Sequence, residues 1–185
     1  MIACAPDASS EKIKRLNEMG VDYCNIPVSR TGLNPLDDIR TFLVLLKLFK
    51  KQHPDAVLAY TIKPVIYGSL AAKAASVPVI FSMVTGLGNA FVATGFKARL
   101  VRFLVSFLYR IGLAVNKQIF FQNPDDLAEF RQRGLLGVNN KSVLINGSGI
   151  NTRDFQVCEY PKGIRFLLIA RLLKDKGLVE YAQAA

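Results

Sequence analysis

The chain predicts an α/β fold built on a doubly wound parallel sheet, Rossmann-like, with the first strand and helix of a second such domain at its end. Three observations carry this. Short apolar runs alternate with longer helical patterns along the sequence. Several of the runs are near-continuous rather than alternating, as in strands covered by helices on both faces. The helical segments between them carry readable start and stop signals.

Taken in order, the apolar runs are Met1–Ala5, Val21–Val28, Ala56–Tyr60, Val77–Val84, Lys117–Gln122, Ser142–Ile145 and Ile164–Ala170. Asn34-Pro35-Leu36-Asp37-Asp38 supplies a capping Asn, a proline at the first helical position and acids in the first turn. That helix closes on Lys47, Lys50 and Lys51 before His53-Pro54. Pro64 can open a helix over Val65–Ala75, and Phe96–Val115 reads as another. Asn123-Pro124-Asp125-Asp126 repeats the capped opening, and Arg131, Arg133 and Gly134 close it. Residues 156–163 (QVCEYPKG) are polar and carry Pro161 and Gly163, so they read as a linker. The expected organisation is one domain over 1–155, missing its first strand, the linker at 156–163, and the truncated start of a second domain over 164–185.

With 185 residues and 51% apolar composition the chain can bury a real core. Its 21% of charged residues, with 13 Gly and 8 Pro, argues against a disordered or low-complexity chain. Three widely spaced cysteines, Cys4, Cys24 and Cys158, do not make a disulfide framework or zinc ribbon, and a reducing compartment is expected. No run reaches the length of a spanning helix, and no signal-peptide pattern opens the chain. The net charge of +10 points to an anionic partner.

That charge is unevenly distributed. From Ala56 to Pro124 there is no Asp or Glu, whereas Lys63, Lys73, Lys97, Arg99, Arg102, Arg110 and Lys117 all fall in the span. On a helical wheel Arg99, Arg102, Ser106 and Arg110 form one narrow stripe in an otherwise apolar helix. Two readings stay open: a core helix with one solvated edge, or a helix at an anionic membrane surface. Phe103, Phe107 and Tyr109 are expected to point away from the arginines, which disfavours a nucleic-acid stacking platform.

Three glycine- or cation-bearing joints follow strands. Thr85-Gly86-Leu87-Gly88-Asn89 follows the run ending at Val84, and Asn146-Gly147-Ser148-Gly149-Ile150-Asn151 follows the one ending at Ile145. Each is either a tight turn or a binding loop where backbone can approach a ligand. The first lacks the third glycine of a dinucleotide fingerprint. After Ile164–Ala170, Arg171 stands where an open α/β sheet binds ligands, and Lys176 opens the next helix. A guanidinium fork, an ammonium and a helix start together suit a diphosphate.

The segment FLLIARLLKDKGLVEYAQAA resembles the strand–Arg–x4–Lys-Gly–helix element of the GT-B glycosyltransferases, in the retaining family 4 group. SVLINGSGIN resembles that family's loop before its second domain. SMVTGLGNAF and IFFQNPDDLAEF resemble the members that act on polyprenyl-diphosphate-linked sugars. The resemblance implies a transferase that moves a sugar from a nucleotide-diphosphate sugar, of the UDP-sugar kind, to a polyprenyl-diphosphate-linked saccharide in cell-surface polysaccharide or glycan synthesis. It implies that Arg171 and Lys176 hold the donor diphosphate and that Thr85, Gly86, Gly88, Asn89, Gly147 and Gly149 belong to acceptor or cleft loops; on the membrane reading of the helical stripe, Arg99, Arg102 and Arg110 face the membrane. It implies no cofactor and no metal, since no D-x-D is present and Asp37-Asp38 and Asp125-Asp126 read as helix-start acids. The implied location is cytoplasmic, peripheral on the inner face of the cytoplasmic membrane, with no nucleic-acid partner.

The departures from that pattern are specific. The family's first strand and its glycine-rich loop are absent, as is the acidic E-x7-E element, and Asn151 stands where an Asp is usual. No catalytic base is identified. The only histidine, His53, reads as structural. The 185-residue chain alone is therefore expected to be inactive. The alternatives are a non-catalytic basic α/β module on an anionic membrane, and a nucleotide-sugar epimerase, which would need acidic and histidine residues that the sequence does not offer.

Overall fold

The computed structural model describes residues 1–29, 34–86, 95–137, 141–160, 162–170, 172 and 176–184. The chain forms two compact units, Met1–Gly149 and Ile150–Ala185.

In the first unit strands and helices alternate: β1 (Ile2–Ala5), α1 (Ser10–Glu18), β2 (Asp22–Asn25), α2 (Pro35–Gln52), β3 (Ala56–Tyr60), α3 (Ser69–Ala74), β4 (Val79–Val84), α4 (Phe96–Ala114), β5 (Gln118–Phe121), α5 (Pro124–Gln132) and β6 (Lys141–Leu144). Every strand pair is parallel. The strands divide between two sheets, β1-β2 and β3-β4-β5-β6, where the sequence predicted one. Apolar patterning sets which residues form strands, but not which strands pair. Both sheets rest on α2: Cys4 and Cys24 from one and Val57 and Ile80 from the other pack in one cluster with Leu45 and Phe49.

Local chemistry explains the helix boundaries. The Asn34 side chain accepts from Leu36 N at 3.1 Å, Pro35 opens α2, and His53 closes it in the left-handed region. Asn123 accepts from Asp126 N at 2.7 Å ahead of Pro124 in α5, and Gly134 supplies the positive φ that ends it. The helix expected from Pro64 begins instead as a wide π turn, Pro64–Gly68, that runs into α3. The α1 helix was not named from the sequence: only Ile13 and Leu16 of its nine residues are large and apolar, and both are only half-buried.

The main core lies between the four-stranded sheet and α4, α5 and the π turn. Ile119 and Phe121 of β5, Leu113 of α4 and Phe130 of α5 are fully buried there. Phe130 stands edge-on to both Tyr109 and Phe121, with ring centroids 5.1 and 5.2 Å away. Gly112 lets α4 lie against the π turn, since a Cβ there would sit 3.0 Å from Ile66 Cα. Asn116, just past α4, donates to Ser69 Oγ at 3.1 Å and to Gly112 O at 2.8 Å, and Ser69 Oγ lies 3.2 Å from Ser82 Oγ. These bonds partner polar groups that burial would otherwise make costly.

The second unit holds a short 3-10 turn (Thr152–Asp154) and α6 (Leu178–Ala184). The division falls between Gly149 and Ile150, so residues 156–163 lie inside this unit. The strand expected over Ile164–Ala170 is not formed: the segment has no ladder, and Ile164, Phe166, Leu167 and Ile169 are exposed. A strand needs a neighbour to satisfy its amides and carbonyls, and among the described residues this unit offers none. Tyr181 Oη of α6 donates to Phe166 O at 2.8 Å.

Candidate functional site

The carboxyl edge of the four-stranded sheet is set by register. Tyr60 pairs with Met83, Met83 with Phe120 and Phe120 with Val143, so the chain leaves all four strands at one level. Thr85-Gly86 and Gly147-Ser148-Gly149 therefore emerge on the same edge, which is where parallel α/β sheets take ligands. Gly147 and Gly149 both have positive φ, at 81° and 74°. These turns fold Ser148 back across the strand ends. Its Oγ accepts from Gln122 Nε2 at 2.6 Å and lies 3.3 Å from Tyr60 Oη. The β6 loop is thus tied to β5 and β3, a span of about 14 Å at the usual strand spacing.

Thr61, the first residue beyond β3, has φ of 72°. A β-branched residue seldom adopts that conformation, and such strain concentrates at functional edges. The turn aims the next helical turn across the edge: Thr61 O accepts from Val65 N at 2.9 Å.

Asp38 departs from its expected role. Asp37 does serve the helix start, accepting from Asn34 Nδ2 at 2.9 Å. Asp38 is instead buried, accepting from Lys63 Nζ at 2.7 Å and Tyr67 Oη at 2.9 Å. Burial, then the hydrogen bond to Asp38 and its charge, push the Tyr67 phenol well above its usual range. The sequence did hold a signal: Asp38, Thr41, Leu45 and Phe49 fall on one buried helical stripe.

A cleft of about 630 Å³ opens beside this cluster at the carboxyl ends of β1 and β2. Its walls are Pro6, Asp7, Asn25, Ile26, Pro27, Val28 and Ser29, with Asp37, Arg40 and Val44 of α2. Thr41 Oγ1 donates to Pro27 O and to Asp37 O, holding the β2 exit against α2. None of these wall residues was read as a site residue from sequence, and Asp37 only as a helix-start acid, because each is unremarkable until two strand ends and a helix start converge.

On α4 the expected arginine stripe splits. Arg99 and Arg110 are exposed. Arg102 is half-buried with its Nε enclosed, because it falls towards the inward face of Val105, Tyr109 and Leu113. The outward face carries Phe96, Leu100, Phe103, Leu104 and Phe107, all more than half exposed. Phe103 and Phe107 thus flank the two exposed arginines rather than turning away from them, while Tyr109 is core. The stripe was drawn from charge alone, and the helix's orientation is fixed by Gly112 and the aromatic core.

Lys176 is exposed in the second unit, just before α6. Arg171, Gly88 and Asn89 lie outside the described residues. Among the described residues no helix is long and apolar enough to cross a membrane.

A parallel α/β unit with its polar loops gathered at the carboxyl edge of the sheet has the Rossmann-like build. Residues 1–123 match the family model described as Glycosyl transferase 4-like, and the chain belongs to that family, within the GT-B, family 4 group that its motifs resemble. The chain is 31% identical over 189 residues to N,N'-diacetylbacillosaminyl-diphospho-undecaprenol alpha-1,3-N-acetylgalactosaminyltransferase of Campylobacter jejuni, covering 95% of this chain and 50% of that protein. It therefore spans about half the length of that curated relative. Among solved structures, MurG of Acinetobacter baumannii matches over 82% of this chain and 37% of its own, with a TM-score of 0.44 and 16% identity.

Proposed function

We propose that this chain is part of a glycosyltransferase that moves a sugar from a nucleotide-diphosphate sugar, a UDP-sugar, to a polyprenyl-diphosphate-linked saccharide in cell-surface polysaccharide or glycan synthesis. One observation carries the reading: the alignment with the Campylobacter relative, whose name specifies a diphospho-undecaprenol-linked acceptor, runs along 95% of this chain.

The chemistry supports it. Breaking the donor's glycosidic bond leaves a nucleoside diphosphate with growing negative charge. Pre-placed cations stabilise that charge more than the ground state. Arg171 and Lys176 are the residues proposed to do so, without a metal. Transfer proceeds with retention, and the departing phosphate takes the acceptor's proton. The acceptor's diphosphate is received by the loops after β4 and β6, neither of which carries an acid. The outward face of α4, apolar and flanked by Arg99 and Arg110, seats the protein on the inner face of the cytoplasmic membrane. The 185-residue chain by itself transfers no sugar, because the described part of the second unit has no paired strand and no buried residue to hold a donor.

The test is a transfer assay on the longest native open reading frame that contains this chain, using membrane extract and labelled UDP-sugars. Arg171→Ala and Lys176→Ala should each lower turnover by about two orders of magnitude, in line with loss of one preorganised donor at a developing charge. Full activity in both variants rejects the donor-site assignment.

A further inference from the structure

We propose that Cys4 and Cys24 form a cross-strand dithiol that peroxide-class oxidants close into an intramolecular disulfide beneath the cleft at the carboxyl ends of β1 and β2. In the parallel β1–β2 ladder the two residues are direct register partners. Adjacent strands lie about 4.8 Å apart, and side chains at paired positions share a face. That separation is inside the window of about 4.4–6.8 Å that disulfide Cα atoms occupy. Both side chains face α2 and pack on the cluster of Ile26, Leu45 and Phe49.

The two thiols also interact. The Cys4 thiol is pushed up to about 11, by burial first and then by the charge of Cys24 and a hydrogen bond with it. Both thiols are half-buried; Cys4 is kept protonated, and the first attack falls to Cys24. Its sulfur takes the distal oxygen of a hydroperoxide, the O–O bond breaks, and an alcohol or water leaves with the proton. The Cys4 sulfur then attacks the resulting sulfenic sulfur and a water departs. Two thiols have lost two protons and two electrons, and the peroxide has been reduced.

The setting favours closure. Among the described residues the β1–β2 sheet has two strands, so it can draw its pair together more easily than the four-stranded sheet could. The consequence falls on the cleft. Cys4 stands two residues before Pro6 and Cys24 directly before Asn25, and both Pro6 and Asn25 line it. A bond between the sulfurs fixes those two exits relative to each other.

The experiment uses the full chain carrying Cys158→Ser, so that only the pair remains. After hydrogen peroxide treatment, thiols are counted under denaturing conditions and the cysteine peptides are weighed. The expected result is loss of both thiols together, one linked peptide pair lacking two hydrogens, reversal by dithiothreitol, and a monomer on a non-reducing gel. In Cys4→Ser on that background the Cys24 sulfenic acid should persist and be trapped by dimedone. The proposal is overturned if both thiols survive a dose that oxidises Cys158 in the unmodified chain. It is equally overturned if they oxidise separately with no linked peptide, or if the only disulfide joins two molecules.

Discussion

Asp38, in the first turn of α2, accepts from Lys63 Nζ at 2.7 Å, and this bond ties the start of α2 to the residues that leave β3. The two side chains are only 12% and 16% exposed. A second bond, from Tyr67 Oη, occupies the other carboxylate oxygen. Removing one partner strands a charge in a site that water scarcely reaches. Lys63→Met should therefore lower unfolding free energy by about 3–5 kcal/mol, and Asp38→Asn/Lys63→Met should recover part of that loss. Urea unfolding of the three proteins measures it. Equal stability of Lys63→Met and the parent would mean that the pair is solvated and of little consequence.

Alkali should weaken the fold more than its composition implies. Cys4 is raised to about 11, and the Tyr67 and Tyr109 phenols are raised further, each chiefly by burial. Cys24 adds to the first shift, Asp38 to the second and Asp126 to the third. These groups stay protonated in the folded chain after the unfolded chain has begun to release its protons. Their contribution is whole below the ordinary thiol and phenol values, about 9 and 10, and is lost as pH rises through the folded values. Thermal melts should give a Tm that falls steeply from pH 9 upward, and Tyr67→Phe should flatten part of that fall. A Tm independent of pH over that range would contradict the burial of these groups.

How far the sequence disclosed this molecule differs by kind of feature. Strands announced themselves as apolar runs, and Asn34-Pro35 and Asn123-Pro124 as caps, because those signals act within a few residues. The break between β1 and β3 was not legible, since pairing is a long-range choice. Asp38 was misread for the same reason: its partners Lys63 and Tyr67 lie 25 and 29 residues away. The loops after β4 and β6 were rightly placed at strand ends, but the Ser148 bridge to Gln122 and Tyr60 needed the sheet register to bring it together. The expected strand over 164–170 had the right composition and, among the described residues, no neighbour to pair with.

Gly112 is a packing requirement rather than a conformational one. A Cβ there would meet Ile66 Cα at 3.0 Å, Ile66 O at 3.2 Å and Val65 O at 3.3 Å, all of them backbone atoms. Backbone of a π turn wedged between α4 and the sheet cannot yield as a flexible side chain would. The helix-propensity gain of Gly→Ala, near 1 kcal/mol, is therefore outweighed by overpacking of roughly 1–3 kcal/mol. Gly112→Ala should be destabilised in urea, whereas a change to alanine at a solvent-facing helical residue, Ser10→Ala, should be close to neutral. A stabilised Gly112→Ala would show that α4 and the turn are less tightly apposed.

The outward face of α4 separates a membrane-seated enzyme from one that merely has a basic surface. Five large apolar side chains from Phe96 to Phe107 stand in solvent, with Arg99 and Arg110 on the flank nearest Phe103. Insertion of the phenylalanines depends on apolar area and is little affected by salt, whereas the arginines act through the lipid charge and are screened. Phe103→Asp/Phe107→Asp should abolish sedimentation with vesicles of either charge. Arg99→Glu/Arg110→Glu should weaken binding to anionic vesicles by roughly 30-fold or more at low salt, at about 1 kcal/mol per basic residue, and change binding to neutral vesicles little. Because all four side chains are exposed and none belongs to the core, near-native melts are expected in both variants and would exclude misfolding as the cause. Undiminished binding of the double aspartate variant to anionic vesicles would take the phenylalanines out of the interface and leave a purely electrostatic contact.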